Sequence, residues 1–124
     1  MSNAARCDLG RAGEQLALEH LERLGCELVA RNHRTRHGEL DLVVLDRSTL
    51  VFVEVKTRRG GAAGGRPWDA LHEGKQRRVR RMAAAFLRDV AERPRAAAVR
   101  FDAVGVTIDA RGRLVALDHL EGAF

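Results

Sequence analysis

The chain has 124 residues, the size of one domain with a single hydrophobic core, and 45% hydrophobic residues with 4% aromatics leave that core to Leu, Val and Ala. No apolar run approaches the roughly 20 residues that span a bilayer, and Met1 to Asp8 lacks a basic-then-apolar signal pattern. Cys7 and Cys26, without a CxxC or Cys/His cluster, give no expectation of a disulfide or zinc framework, so a reducing cytoplasm is the expected setting.

The net charge is +5, and 20 of the 22 cationic side chains are arginine. Arginine favours bidentate contact with phosphate. An arginine-rich proteome from a GC-rich genome gives the same composition.

Residues 1–7 are expected to form a flexible tail. Asp8 then suits an N-cap and Gly25 a C′ stop. Between them Leu9, Leu16, Ala17, Leu21 and Leu24 recur at helical spacing. A short strand is expected over Glu27 to Asn32, followed by a basic connection from Arg34 to His37. Glu39–Leu45 and Leu50–Thr57 are Val- and Leu-rich strands joined by Asp46-Arg47-Ser48-Thr49, and they read as a hairpin.

The run from Arg58 to Arg66 is too glycine-rich for a regular element. Pro67 suits the first turn of a short helical segment, and Trp68 a packing anchor. A long helix is expected from Gly74 to Arg93, ending before Pro94. Strands over Val99–Ile108 and Arg113–Leu117 flank the turn from Asp109 to Gly112. The order is α-β-β-β-α-β-β in a single domain, residues 1–124. The long helix suits a crossover to a parallel neighbour, so the fold class is α/β with a mixed sheet of about five strands flanked by helices.

The central hairpin places charges. A two- or four-residue loop makes paired positions sum to 95, so Leu40, Leu42 and Val44 oppose Val55, Val53 and Val51. On the other face Leu45 opposes Leu50, Val43 opposes Phe52, Asp41 opposes Glu54 and Glu39 opposes Lys56. Two carboxylates about 4 Å apart repel by about 4 kcal/mol at an effective dielectric near 20. Lys56, a raised pKa or a bound cation has to offset that. A hard divalent ion takes carboxylate oxygens and keeps several waters, and it polarises phosphate and activates water. A plain salt-bridge cluster of Lys56 with Glu39 and Asp41 is the rival arrangement.

Asp41, twelve intervening residues and then Glu54-Val55-Lys56 resemble the PD-(D/E)xK nuclease signature, with Leu40 in place of the proline. Further stretches agree in order: Gly10-Arg11-Ala12-Gly13-Glu14, Arg31-Asn32, Gly38-Glu39-Leu40-Asp41-Leu42, Val51 to Arg58, Lys75-Gln76-Arg77-Arg78 and Arg100-Phe101-Asp102. Together they resemble the YraN family of predicted bacterial endonucleases, similar to archaeal Holliday junction resolvases. The resemblance implies a restriction-endonuclease-like core and a Mg²⁺- or Mn²⁺-dependent site. Asp41, Glu54 and the Val55 carbonyl would hold the metal, and Lys56 would complete the signature. Glu14 would approach from the first helix and Gln76 from the long one, although Arg80 stands where some relatives carry an aromatic residue. DNA is the implied partner, and resolvase-like cutting of two strands would suit a homodimer.

Several cations could carry the backbone of a nucleic acid. Arg77, Arg81 and Arg88 share the polar side of the long helix, with Lys75 at its start. Arg58, Arg59 and Arg66 flank the glycine run as a lid or clamp. Arg34 and Arg36, in the basic connection before Asp41, and Arg11 on the first helix are further candidates. Solvated faces and a merely disordered loop are the alternatives. Gly10 and Gly13 serve either close helix packing or approach to phosphate, and Asp102 is expected to organise a sheet end. A metal-dependent endonuclease acting on DNA is thus the leading expectation, beside a non-catalytic nucleic-acid-binding module and a protein-interaction role.

Overall fold

The computed structural model describes residues 3–60 and 72–124, which form α1 (Asn3–Arg23), β1 (Glu27–Thr35), β2 (Gly38–Asp46), β3 (Thr49–Arg59), α2 (Glu73–Asp89), β4 (Ala98–Ile108) and β5 (Leu114–Leu120). Pro67, Trp68 and Arg66 lie outside the described residues. The five strands make one sheet in the order β1-β2-β3-β4-β5, antiparallel except for the parallel pair β3–β4. The expected α/β class, element order and mixed sheet are therefore present. No helix among the described residues is long and apolar enough to cross a membrane.

Element ends differ from expectation where propensity extends a segment. Helix α1 begins at Asn3, so Asp8 lies inside it rather than capping it, and residues 3–7 are helical rather than a tail. Ala4 and Ala5, strong helix formers, suit that extension. At the other end the Cys26 N–H bonds to the Leu21 carbonyl at 3.0 Å and Gly25 has φ +95°, a Schellman stop that leaves Leu24 exposed beyond the helix. Strand β1 runs on to Thr35, which puts Arg34 in the strand and leaves Arg36 and His37 as the turn into β2. Strand β3 includes Arg58 and Arg59, so neither belongs to a flexible loop. Helix α2 stops at Asp89, and β5 continues to Leu120.

Each face of the sheet is covered by one helix. Ala17, Leu18 and Leu21 of α1 pack on Leu42, Val44, Val51, Val53, Val104, Val106 and Ile108. Val79, Met82, Ala83 and Phe86 of α2 pack on Leu40, Val43, Leu50 and Phe52. Phe52 meets Phe86 edge to face, with centroids 5.8 Å apart. Residues i and i+2 of a strand share a face, and β3 obeys this rule, which turns Glu54 toward α2.

On the α1 side, a polar chain crosses β4 and β5. Asp102, fully buried, accepts from Arg100 Nε at 2.8 Å and Nη2 at 3.0 Å, and from the Gly122 N–H at 3.1 Å. His119 Nε2 lies 2.8 Å from the same carboxylate, and its Nδ1 lies 3.1 Å from His20 Nε2 of α1. Asp102 thus organises the sheet end, as its sequence setting predicts.

Candidate active site

The hairpin loop is Arg47-Ser48, and five pairs from Asp46↔Thr49 to Leu42↔Val53 sum to 95. Beyond Leu42 the alternation breaks. Leu40 packs with Val43 on the α2 side, whereas Leu42 packs on the α1 side. The expectation that Leu40 continues the face of Leu42 opposite Val55 is therefore wrong. In β1 the pairs Arg31↔Leu42 and His33↔Leu40 put Asn32 opposite the break at Asp41, and Asn32 itself has φ +48°. Asn tolerates this left-handed region better than most residues.

The break frees Asp41 from an ordinary sheet position. Its Oδ2 accepts the Val55 backbone N–H at 2.8 Å, a bond that a strand carbonyl would otherwise make. A side chain has replaced a rung of the ladder, so β2 and β3 remain tied while their backbones separate. Glu54, the residue before Val55, comes beside it. Burial above all, then the Glu54 charge, pushes the Asp41 carboxyl up to about 8; the Val55 N–H opposes this, Glu14 adds to it and Lys75 opposes it.

Glu14 reaches the same region from α1. Asn32 Nδ2 donates to Glu14 Oε1 at 2.8 Å and to Glu39 Oε1 at 3.2 Å. Gly10, Arg11, Glu14, Asn32 and Glu39 line a cleft of about 160 Å³. Asn32, which the sequence marks only as part of the Arg31-Asn32 stretch and to which it assigns no role, joins the site residues. A polar residue facing an acidic signature position, in a strand otherwise read as simple alternation, was the available signal.

An ammonium from α2 pairs with Glu54, a partner that the sequence spacing does not indicate. Lys75 Nζ of α2 lies 2.6 Å from Glu54 Oε1, with only 12% of the Glu54 side chain exposed. Lys56 is exposed and forms no ion pair among the described residues. Glu39 pairs with Arg34 at 3.5 Å. The salt-bridge cluster of Lys56 with Glu39 and Asp41 is therefore not formed. Gln76 follows Lys75 in the first turn of α2, where its N–H bonds to the His72 carbonyl at 3.0 Å.

Beside Lys75, a basic cleft of about 240 Å³ is lined by His72, Gly74, Lys75, Arg78 and Arg81. Lys75 and Arg81 were expected to face nucleic acid; His72 and Arg78 join them because one helical turn separates each from a neighbour in the cleft. Arg77 pairs with Glu73 at 3.7 Å and Arg88 with Asp89 at 2.9 Å. Arg58 Nε donates to Thr107 Oγ1 at 3.4 Å and Arg59 Nη1 to the Asp109 carbonyl at 3.2 Å, which ties both to β4 and its turn rather than to a lid. Arg34 and Arg36 are exposed along β1 and its turn, and Arg11 is exposed on α1.

Asp41 and Glu54, with the Val55 backbone between their attachments, suit a hard ion that retains water. Among the described residues no group of three or more His, Cys, Asp and Glu side chains forms a ready-made metal cage.

Comparison with known proteins agrees with the family-level resemblance. The family model described as "Uncharacterised protein family UPF0102" matches residues 13–106. A UPF0102 protein of Mycobacterium avium is 45% identical over 119 residues, covering 94% of this chain and 90% of the relative. One from Mycolicibacterium smegmatis is 44% identical over 124 residues, covering 98% and 97%. One from Chlorobium chlorochromatii is 42% identical over 122 residues, covering 95% and 92%.

Proposed function

The chain belongs to the UPF0102 family, and from the geometry of its site we propose that it is a Mg²⁺- or Mn²⁺-dependent endonuclease hydrolysing DNA phosphodiester bonds, with branched or non-canonical DNA as its substrate class. The observation that carries this reading is the Asp41 carboxylate taking the place of a ladder rung next to Glu54. The cost of this placement is a buried acid beside Glu54 that holds its proton up to about pH 8, and a divalent ion on the two side chains would remove that penalty by favouring the ionised form. A similar chain of residues in the PD-(D/E)xK signature supports the same chemistry.

Asp41, Glu54 and the Val55 carbonyl would hold the ion. When bound, it would supply polarisation of the phosphate and a more acidic water. The remaining work falls to the chain's own groups. Lys75 and Lys56 would neutralise charge on phosphate. Arg78 and Arg81 would fix the DNA backbone beside the carboxylates. Asn32 holds Glu14 toward Asp41, and Gln76, next to Lys75 in the first turn of α2, would support the site. Action in the cytoplasm as a homodimer, able to cut two strands, completes the proposal.

One observation favours a second reading. Lys75 already compensates Glu54, as a non-catalytic nucleic-acid-binding module on a nuclease scaffold would require. The test is incubation of branched, flapped, single-stranded and linear DNA with Mg²⁺ or Mn²⁺, comparing wild type with Asp41→Ala and Glu54→Ala. Cutting that both substitutions abolish supports the nuclease. Cutting that survives both removes the reading, and salt-sensitive binding without any cutting supports the second.

A further inference from the structure

We infer that Lys75 is the built-in counter-ion of the carboxylate site, and that a divalent ion binds there in competition with it. This rests on the metal-site reading above. The chain has two lysines, and both lie close to the signature carboxylates in sequence or in space. The one two residues from Glu54, Lys56, is exposed; the one from the opposite helix, Lys75, makes the 2.6 Å ion pair.

The pair is well placed to be exchanged. Glu54 is nearly enclosed, with 12% of its side chain exposed, whereas Lys75 retains 29% and borders the open basic cleft with Arg78 and Arg81. An ammonium on a four-carbon stem can leave for that cleft without moving the helix. The carboxylate cannot follow, because it sits on a central strand between β2 and β4. Glu54 Oε2 could receive an ion while Lys75 stays on Oε1, but a doubly charged ion and an ammonium on one carboxylate repel each other strongly at low dielectric. Either way, Lys75 weakens metal binding, and a metal that does bind drives Lys75 toward the cleft where phosphate would lie. Occupancy of the site is thereby linked to presentation of an ammonium to the substrate.

The test is calorimetric titration of Mn²⁺ into wild type, Lys75→Met, Lys75→Arg and Lys56→Met, each first shown to melt cooperatively. Lys75→Met is expected to bind Mn²⁺ about tenfold more tightly or better, and Lys56→Met within about twofold of wild type. Lys75→Arg, which keeps the charge, should stay near wild type. A Lys75→Met protein that binds no more tightly than wild type overturns the inference and leaves the metal site standing. Absence of binding by all four overturns the metal site together with the inference. In protein labelled with ¹⁵N at the lysine ammonium groups, saturating Mg²⁺ should shift the Lys75 signal and leave that of Lys56 nearly unchanged. A Lys75 signal that ignores a bound ion overturns the displacement.

Discussion

Gly13 of α1 lies so close to Thr57 of β3 that a Cβ at residue 13 would overlap the threonine side chain. This contact seats the helix on the sheet and brings the next residue, Glu14, to Asn32. Gly10, one turn earlier, has open space around its would-be Cβ. The two glycines therefore serve different ends. Gly13→Ala should cost about 1–3 kcal/mol through overpacking, while Gly10→Ala should be neutral or stabilise by up to about 1 kcal/mol through helix propensity. Urea denaturation of both variants checks this; equal effects would deny the close approach.

Asp41 gives the protein a pH dependence of a definite sign. Burial and the neighbouring Glu54 raise its carboxyl to about 8 in the fold, against about 3.9 in an unfolded chain. Between those values the unfolded chain has released a proton that the folded one keeps. The contribution to stability is therefore full below about pH 4 and is lost as pH rises toward 8. Asp41→Asn should flatten the stability profile over that window and exceed wild type near pH 8. Denaturation midpoints from pH 4 to 9 measure it, and added Mg²⁺ should raise the wild-type midpoint at pH 8 while leaving the variant unmoved.

The sequence made the hairpin legible because period-two alternation and a short polar loop fix register, and all five observed pairs from Leu42 to Asp46 follow it. The same logic failed at Leu40. Alternation assumes an unbroken pleat, and nothing in the local apolar pattern shows that Asp41 will bond the Val55 N–H and turn Leu40 to the other face. The carboxylates were legible, since Asp41 and Glu54 sit in a recognisable signature. The ion-pair partner of Glu54 was not. Lys56 is nearer in sequence, but the crossover from β3 to β4 delivers Lys75 from a helix nineteen residues further along. The contacts of Asn32 with Glu14 and of Asp102 with His119 and His20 escaped for the same reason, being built from residues that meet only through the sheet and its packing.

The basic cleft predicts which arginines matter for a nucleic acid. Arg77 and Arg88 are each occupied by a carboxylate of their own helix, while Arg78 and Arg81 line the cleft beside Lys75. If each of these two meets one phosphate of duplex DNA, replacing both with Ala should flatten the slope of log affinity against log salt by about 1.8. Replacing Arg88 should leave that slope unchanged. Fluorescence anisotropy with labelled duplex over a range of NaCl concentrations measures both, and a slope that responds to Arg88 alone would move the interface along the helix.

The buried Asp102 network should make the fold sensitive to acid, opposite in direction to Asp41. Burial raises the Asp102 carboxyl, but bonds from His119, Arg100 and the Gly122 N–H outweigh it and hold the group below its ordinary value. Its contribution to stability is present above about pH 3.9 and is lost as pH falls through its lower folded value. His20 acts earlier on the same descent. Burial first, then His119 and Arg23, lower its pKa, so the unfolded chain takes up a proton near pH 6.5 that the folded one resists, and stability falls from there downward. His20→Asn should remove the decline that begins near pH 6.5 and keep the one below 4. Asp102→Ala should cost about 1–3 kcal/mol at neutral pH, because it leaves His119 and the Gly122 N–H without their acceptor, while Arg100 keeps Asp46. Denaturant titrations of wild type and both variants at pH 3.5, 5 and 7 separate the two contributions from that of Asp41, and a His20→Asn protein whose stability difference from wild type is the same at pH 7 and at pH 5 would contradict the role given to His20.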